Sequence, residues 1–145
     1  MTETTKPLPI PSELAQPFWD ALRENELKLQ QCQGCSVHIH PPKIICPRCH
    51  GRRFEWARVK PTGHVYSYTI VHRAPIPAFK PDVPYAVALV DIEGTEARLL
   101  SNLLAPLDQI QVGMPVDLVF DKASDDITLF RFKPAAPAVP SKGEA

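Results

Sequence analysis

The chain has 145 residues, 44% of them hydrophobic, and carries 16 basic and 16 acidic side chains. This balance of charge is atypical of a dedicated nucleic-acid-binding protein, which is usually basic. No apolar run approaches the 18 residues that a membrane-spanning helix needs, and residues 1–7 lack the apolar core of a signal peptide. We therefore expect a soluble, cytoplasmic protein made of one domain or two small modules.

Proline and capping signals define the beginning of the chain. Residues 1–11 contain three prolines and are expected to be extended. A short helix should follow, beginning at Ser12 or Gln16 and ending at Asn25. Ser12 is a residue type that caps helices, and Pro17 suits a first turn.

This helix carries an apolar stripe, because Leu14, Phe18 and Leu22 recur every four residues with Trp19 beside them. Packing against the protein's own core is the simpler interpretation of the stripe. Docking on a partner is the alternative, because Phe18 and Trp19 form a large aromatic surface for so short a helix and aromatic residues are enriched at interfaces.

All four cysteines lie in one stretch, as two Cys-x-x-Cys pairs separated by ten residues: Cys32, Cys35, Cys46 and Cys49. Two such turns can direct four sulfur atoms at one point, which is what a tetrahedral metal–thiolate site requires. Four protein ligands close the site, so the metal should hold structure and leave no cysteine free as a nucleophile.

Zinc is the ion predicted for these cysteines, and iron is the alternative because four thiolates suit both metals. Disulfides are a third interpretation, disfavoured because nothing in the sequence indicates an oxidising compartment. His38 and His40 lie between the two pairs, but four cysteines already complete the ligand set.

Two strand-like segments, residues 27–31 and 54–59, flank the cysteines and complete a zinc ribbon. A unit of this size buries too little core to fold unaided, so metal binding should supply much of its folding energy. Residues 43–60 hold six basic side chains against one acidic one. They either offset the charge of about −2 on a zinc–tetrathiolate unit or form a phosphate-binding patch, for which coenzyme A is a natural ligand.

The rest of the chain is predicted to be rich in strands, at residues 64–73, 85–93, 97–104, 114–121 and 127–133. The two longest connections are a proline-rich loop over residues 74–84 and a helical turn over residues 106–111. Five strands joined in this way favour a small closed Greek-key barrel, whose five-stranded form is the OB-fold. A sandwich is the alternative architecture.

Several motifs occur in an order that is typical of one protein family. They are Pro17-Phe18-Trp19, the two cysteine pairs, Pro41-Pro42, Cys46-Pro47-Arg48-Cys49, residues 63–69, Pro84-Tyr85 and residues 112–116. Over residues 14–134 the chain resembles the zinc-ribbon-plus-OB-fold proteins that accompany thiolases, hydroxymethylglutaryl-CoA synthases and related acyl-CoA enzymes. It departs from them at Ser36 and His50, where glycine often follows each cysteine pair.

The predicted fold is therefore mainly β. It consists of an extended segment and helix (1–25), a rubredoxin-like zinc ribbon (26–60), a five-stranded OB-fold barrel (61–134) and a disordered tail (135–145).

The resemblance implies a non-catalytic accessory subunit of an acyl-CoA-processing complex, whose partner is a thiolase-like or hydratase-type enzyme and whose possible ligand is a coenzyme A thioester. The expected contacts with the partner or with coenzyme A are Phe18 and Trp19 on the helix and Arg73, Phe79 and Lys80 in or beside the proline-rich loop. Phe79 is equally suited to holding its own loop in place.

Two other functions are open at this stage. Zinc ribbons and OB-folds both occur in single-stranded nucleic-acid binders, but residues 61–145 carry seven basic against ten acidic side chains, and Tyr66 and Tyr68 lie in a strand expected to have buried faces. A stand-alone enzyme would have to use side chains such as His64, His72, Asp91 and Ser101, for which no sequence context indicates a catalytic role.

Overall fold

The computed structural model describes residues 6–135. Within this range lie one α-helix, α1 (Gln16–Arg23), two 3-10 helices (Pro77–Asp82 and Leu107–Gln109) and eight strands. The strands are β1 (Leu27–Cys32), β2 (His38–Ile39), β3 (Phe54–Val59), β4 (Thr62–Val71), β5 (Tyr85–Ile92), β6 (Arg98–Leu103), β7 (Pro115–Lys122) and β8 (Thr128–Pro134). The expectations for residues 1–5 and 136–145, including the disordered tail, lie outside the described residues.

Helix α1 is shorter than the sequence predicted. Pro17 lies in its first turn as expected, but Ser12 does not cap it; the Ser12 hydroxyl instead accepts from the Ala15 amide in the turn that precedes the helix. The helix ends at Arg23, and Asn25 follows in the left-handed conformation with φ 60°. Asn is one of the few residue types that adopt this conformation readily, which explains the early stop.

A three-stranded antiparallel sheet, in the order β2–β1–β3, lies beside the four cysteines, of which Cys32 ends β1 and the other three lie in the connections. The pairing of β1 with β3 runs from Leu27 opposite Val59 to Cys32 opposite Phe54. β2, only two residues long, was not predicted. It pairs with the end of β1 and brings the segment between the cysteine pairs back against the sheet.

The remaining strands form a closed barrel in the order β4–β5–β6–β8–β7, with β7 pairing back to β4. This five-stranded barrel is the OB-fold that the sequence predicted, and not a sandwich. β5 shows the alternation that places it in a barrel wall, because every second residue from Ala86 to Ile92 is buried. Gly63 lies where the barrel closes, and a Cβ there would collide with the Asp91 carbonyl.

One hydrophobic core joins the helix, the ribbon and the barrel. It contains Phe18 and Leu22 of α1, Leu27 and Leu29 of β1 and the inward side chains of the barrel strands, including Phe132. A smaller cluster of Cys32, Ile39 and Cys46 lies under the cysteines. The ribbon is therefore packed on the barrel and shares its core.

The proline-rich loop between β4 and β5 contains a 3-10 helix, Pro77–Asp82, that the sequence did not indicate. None of the helices within residues 6–135 has the length and hydropathy that crossing a bilayer requires.

Candidate metal centre

The sulfur atoms of Cys32, Cys35, Cys46 and Cys49 converge, and all lie within 4.8 Å of one another. The closest pairs join the two halves of the motif: Cys32 Sγ lies 3.5 Å from Cys49 Sγ, and Cys35 Sγ lies 3.7 Å from Cys46 Sγ. Four sulfurs at this spacing surround one point, so the arrangement can hold a tetrahedral metal ion.

The two cysteine pairs lie on equivalent turns. In the first turn the Ser36 amide donates to the Cys32 carbonyl at 2.9 Å, and in the second the His50 amide donates to the Cys46 carbonyl at 2.9 Å. Ser36 and His50 have φ of 67° and 64°, in the left-handed region that glycine adopts without strain. These are the two positions where the resemblance led us to expect glycine, and the turn geometry gives a physical reason for that expectation.

Gly34 and Gly51 lie against the cysteine sulfurs, where space is limited. Neither glycine has a positive φ. A Cβ at either position would approach Cys49 Sγ, to 3.3 Å from Gly34 and 3.2 Å from Gly51. A side chain at either position would therefore crowd Cys49 Sγ.

Backbone amides point at three of the sulfurs. The Gly34 amide donates to Cys32 Sγ at 3.3 Å, the Arg48 amide to Cys46 Sγ at 3.4 Å and the Gly51 amide to Cys49 Sγ at 3.4 Å. Such bonds stabilise thiolates, which are the form that binds metal. The turns therefore prepare the sulfurs for ligation.

The local environment lowers the pKa of one cysteine thiol and raises that of another. Burial tends to raise the pKa of Cys46, but the Cys49 and Arg48 amides and the neighbouring thiols outweigh it and lower this pKa to about 6. The Gly51 amide tends to lower the pKa of Cys49, but the Cys32 thiol, burial and the thiols of Cys35 and Cys46 outweigh it and raise this pKa to about 11. Four thiolates this close repel one another, so a cation is needed for all four to ionise together.

A buried glutamine that the sequence analysis overlooked holds the segment between the cysteine pairs. Gln30 is only 2% exposed, and its side-chain amide donates to the Lys43 carbonyl and accepts from the Lys43 amide, each at 2.8 Å. The alternation of Leu27 and Leu29 with polar residues assigns Gln30 to the exposed face of β1, so no local signal in the sequence indicates its burial.

The basic residues near the centre are largely balanced. Arg58 pairs with Glu26, and Lys60 pairs with Glu93 at 3.3 Å. Four other cations, Lys43, Arg48, Arg52 and Arg53, form no ion pair with the described residues. Glu55 and a tetrathiolate–zinc unit of about −2 offset most of their charge, which favours local compensation over a phosphate site.

The five side chains expected to meet a partner or coenzyme A lie in different places. Phe18 is 2% exposed and packs against His40 and Phe130. Its ring therefore belongs to the protein's own core, as in the first of the two interpretations of the helix, and does not form a docking surface. Trp19 is half-buried beside it, with the two ring centroids 5.4 Å apart. Arg73 and Lys80 are exposed.

Trp19 and Phe79 line one groove of about 1010 Å³ on the outside of the barrel. Leu100 of β6, Leu104 directly after β6 and Phe130 of β8 supply apolar walls. The N-terminal segment, residues 6–9, lies along the groove, where Lys6 pairs with Asp82 at 2.6 Å and lies 5.6 Å from the centroid of the Phe79 ring. Arg73 and Lys80 do not line it, so the structure unites two of the five expected contacts.

The side chains considered for a stand-alone enzyme are not assembled. Ser101 donates its hydroxyl to the Phe130 carbonyl at 2.5 Å, and Asp91 pairs with Arg98 at 2.6 Å. Neither is hydrogen-bonded to His64 or His72 in the described part of the chain.

Comparison with known proteins identifies both halves of the fold. Residues 19–55 match the family described as ChsH2, rubredoxin-like zinc ribbon domain, and residues 56–121 match ChsH2, C-terminal OB-fold domain. A relative in Methanocaldococcus jannaschii, a DUF35 domain-containing scaffold protein, is 31% identical over 112 residues, which are 72% of this chain and 78% of that protein. This chain belongs to the DUF35 scaffold family.

Two further similar proteins have names that mention enzymes. A probable enoyl-CoA hydratase alpha subunit of Thermomonospora curvata is 44% identical over 126 residues, which are 83% of this chain. The match spans only 37% of that protein's length. The solved structure of the Ltp2-ChsH2(DUF35) aldolase contains a chain that is 35% identical and superposes with a TM-score of 0.78, covering 89% of this chain and all of that one.

Proposed function

We propose that this chain is a non-catalytic, zinc-stabilised subunit that assembles with a thiolase-like or hydratase-type acyl-CoA enzyme. The observation that carries the proposal is the convergence of all four cysteines of the chain on one point. With every thiol committed to a metal, the chain would have no cysteine for attack on a thioester, so any cysteine nucleophile would have to come from a second protein.

The relatives support the choice of partner. Their names describe scaffold proteins, an enoyl-CoA hydratase alpha subunit and a component of an aldolase. Zinc is the proposed ion because the donor set is four thiolates and the closed site suits a structural role. Trp19 and Phe79, in the outer groove, are the proposed contacts with the partner or with a coenzyme A thioester, and Arg73 and Lys80 are proposed phosphate contacts.

The test is assembly with a defined enzyme subunit. The purified chain would be mixed with the Ltp2 component of the Ltp2-ChsH2(DUF35) aldolase and the mass of the products measured by size-exclusion chromatography with light scattering. We expect a complex containing both proteins and no thioester or carbon–carbon bond chemistry by this chain alone. Two separately eluting proteins, or turnover of acyl-CoA by this chain alone, would contradict the proposal.

Exposed aromatics support a second candidate, binding of single-stranded nucleic acid. Tyr66 and Tyr68 are 48% and 38% exposed, so the expectation that this strand has buried faces at both tyrosines is wrong. Stacking platforms of this kind usually lie in a basic groove, whereas residues 61–145 carry three more acidic than basic side chains. Salt-dependent binding of oligo(dT) at micromolar concentration would favour this candidate, and no binding would remove it.

A further inference from the structure

The second half of β4 has a free edge. β7 pairs with β4 only from Thr62 to His64, and the Val65 backbone makes two more bonds, to Gly113 and Met114. Beyond that point β4 continues for six residues, 66–71, paired on one side with β5. No other hydrogen bond within residues 6–135 reaches the backbone of this six-residue segment.

This free edge is also uncovered on both faces. Tyr66, Ser67, Tyr68 and Thr69 are four consecutive exposed residues, although successive side chains of a strand point to opposite faces. An irregularity in the pairing between Val65 and Ser67 marks where the strand leaves the closed part of the barrel. The segment therefore offers an edge and two faces to a neighbouring molecule.

Apart from the irregularity between Val65 and Ser67, the edge lacks the features by which proteins protect exposed strands. Residues 65–71 contain no charged residue, proline or glycine and are rich in β-branched and aromatic side chains. β3, which is also an edge strand, differs because Glu55 and Arg58 lie on it. An unprotected strand of this composition tends to pair with another strand.

We propose that an extended, uncharged strand of the partner enzyme pairs with β4 along residues 66–71. This inference rests on the proposed function and specifies the surface and the mode of assembly. Backbone N–H and C=O groups repeated along six residues are matched best by another extended backbone, which is how strand addition to a sheet edge gives affinity. An uncharged edge disfavours a charged strand opposite it, because burying an unpaired charge there is costly.

The size of the edge favours a larger partner over a second copy of this chain. Six strand residues make a strip about 20 Å long and about 10 Å deep, roughly 200 Å². Stable interfaces bury about 800 Å² on each partner, so self-pairing of this strip would be too small. A partner strand that is part of a larger subunit can extend its contact onto the flanking aromatic surface.

Tyr66 is held in position beside the edge. The Arg98 guanidinium lies 3.6 Å from the centroid of its ring, and Arg98 is in turn paired with Asp91 at 2.6 Å. A ring fixed in this way loses little conformational entropy when a partner covers it. Together with Tyr68, it would flank the added strand with aromatic surface of the kind enriched at interfaces.

Hydrogen–deuterium exchange of the full chain, alone and mixed with the Ltp2 component of the Ltp2-ChsH2(DUF35) aldolase, tests the proposal. We expect amides in residues 66–71 to exchange more slowly in the complex, while the β7–β8 hairpin, whose strands already pair with each other, is unchanged. A second measurement compares Thr69→Lys with Thr69→Val. The lysine should weaken the complex at least about tenfold and the isosteric valine by less than about twofold.

The outcomes separate the two proposals. A complex that leaves residues 66–71 unprotected, or that tolerates Thr69→Lys, overturns the strand pairing while the subunit function stands. Failure of the wild-type chain to form any complex overturns the proposed function and this inference with it. A dimer of the isolated chain that protects residues 66–71 and is lost in Thr69→Lys would show that a second copy, and not the partner enzyme, occupies the edge.

Discussion

The side chain of Gln30 is hydrogen-bonded in both directions to the backbone of Lys43, with each bond 2.8 Å long. Gln30 lies on β1, beside the first cysteine pair, and Lys43 precedes the second pair by three residues. This contact ties the segment between the pairs to the sheet, so the position of Cys46 relative to Cys32 depends on a polar residue that is not a ligand.

Gln30→Leu should therefore lower the free energy of unfolding by about 2 kcal/mol, because it leaves the amide and carbonyl of Lys43 without their partner in a partly buried place. Gln31→Leu is the matched control, since the Gln31 side chain makes a single exposed bond to the Ser36 carbonyl and should cost less than about 1 kcal/mol. Urea denaturation of the metal-loaded proteins measures both. Equal costs would show that the Gln30–Lys43 contact contributes nothing specific.

The left-handed residues after the two cysteine pairs give a stabilising prediction. Ser36→Gly and His50→Gly relieve backbone strain of roughly 1–2 kcal/mol at each position, from which the greater entropy of glycine in the unfolded chain subtracts about 0.5–1 kcal/mol. Each change should raise the thermal midpoint by a few degrees with the metal content unchanged. Asn25→Gly is the control outside the ribbon, since φ at Asn25 is also positive. A lowered midpoint in both ribbon variants would contradict this explanation.

His40 should make the protein sensitive to acid. Burial lowers the pKa of His40 to about 4, from an ordinary value of 6.5, and its ring lies 4.9 Å from that of Phe18. The folded state binds the proton less readily than the unfolded state. The contribution of neutral His40 to the free energy of unfolding is therefore complete above about pH 6.5 and is lost as the pH falls toward 4. It amounts to about 3 kcal/mol.

His40→Phe removes the titrating group and keeps an aromatic ring against Phe18. Protonation of the cysteines at low pH affects the wild type and the variant alike, so the informative quantity is the difference between their unfolding free energies from pH 7 to pH 4. The unfolding free energy of the wild type should fall more than that of His40→Phe as the pH is lowered from 7 to 4. Parallel curves over the whole range would show that His40 does not titrate with folding.

The adjacent aromatics of α1 should behave differently. Phe18→Ala removes a ring that is 2% exposed in the shared core, and should cost about 3–5 kcal/mol of stability. Trp19→Ala should cost less stability, because Trp19 lies at the edge of the core and faces the outer groove, and should weaken the enzyme complex instead. Calorimetry of each variant and titration with the Ltp2 component separate the two effects. A Trp19→Ala protein that binds Ltp2 normally would remove Trp19 from the proposed contacts.

The parts of the fold that sequence could predict depend on local patterns. The spacing of Cys32, Cys35, Cys46 and Cys49 restricts the sulfurs to one site, and an apolar run with few charges, such as residues 85–90, identifies a long strand such as β5. The parts that were missed depend on distant contacts. β2 is only two residues long and exists because β1 lies beside it, and Gln30 is buried because residue 43 returns to it.

The exposure of Tyr66 and Tyr68 could not be read from their own segment either. A β-branched and aromatic run predicts a strand, but its burial depends on how far the neighbouring strand extends. β7 stops pairing after His64, so the second half of β4 is left open. Phe18 of the helix differs from the sequence expectation in the opposite direction. Its ring looked suited to an interface but is buried, because β8 and His40 of the ribbon cover it.

The proposed function requires that all four sulfurs bind one metal ion. Metal analysis by mass spectrometry, combined with thiol titration of the same purified sample, tests this directly. We predict one zinc per chain, no thiol reactive in the folded protein, and four reactive thiols after denaturation with a chelator. A folded, metal-free protein, or one cysteine that reacts rapidly while the chain is folded, would contradict the account.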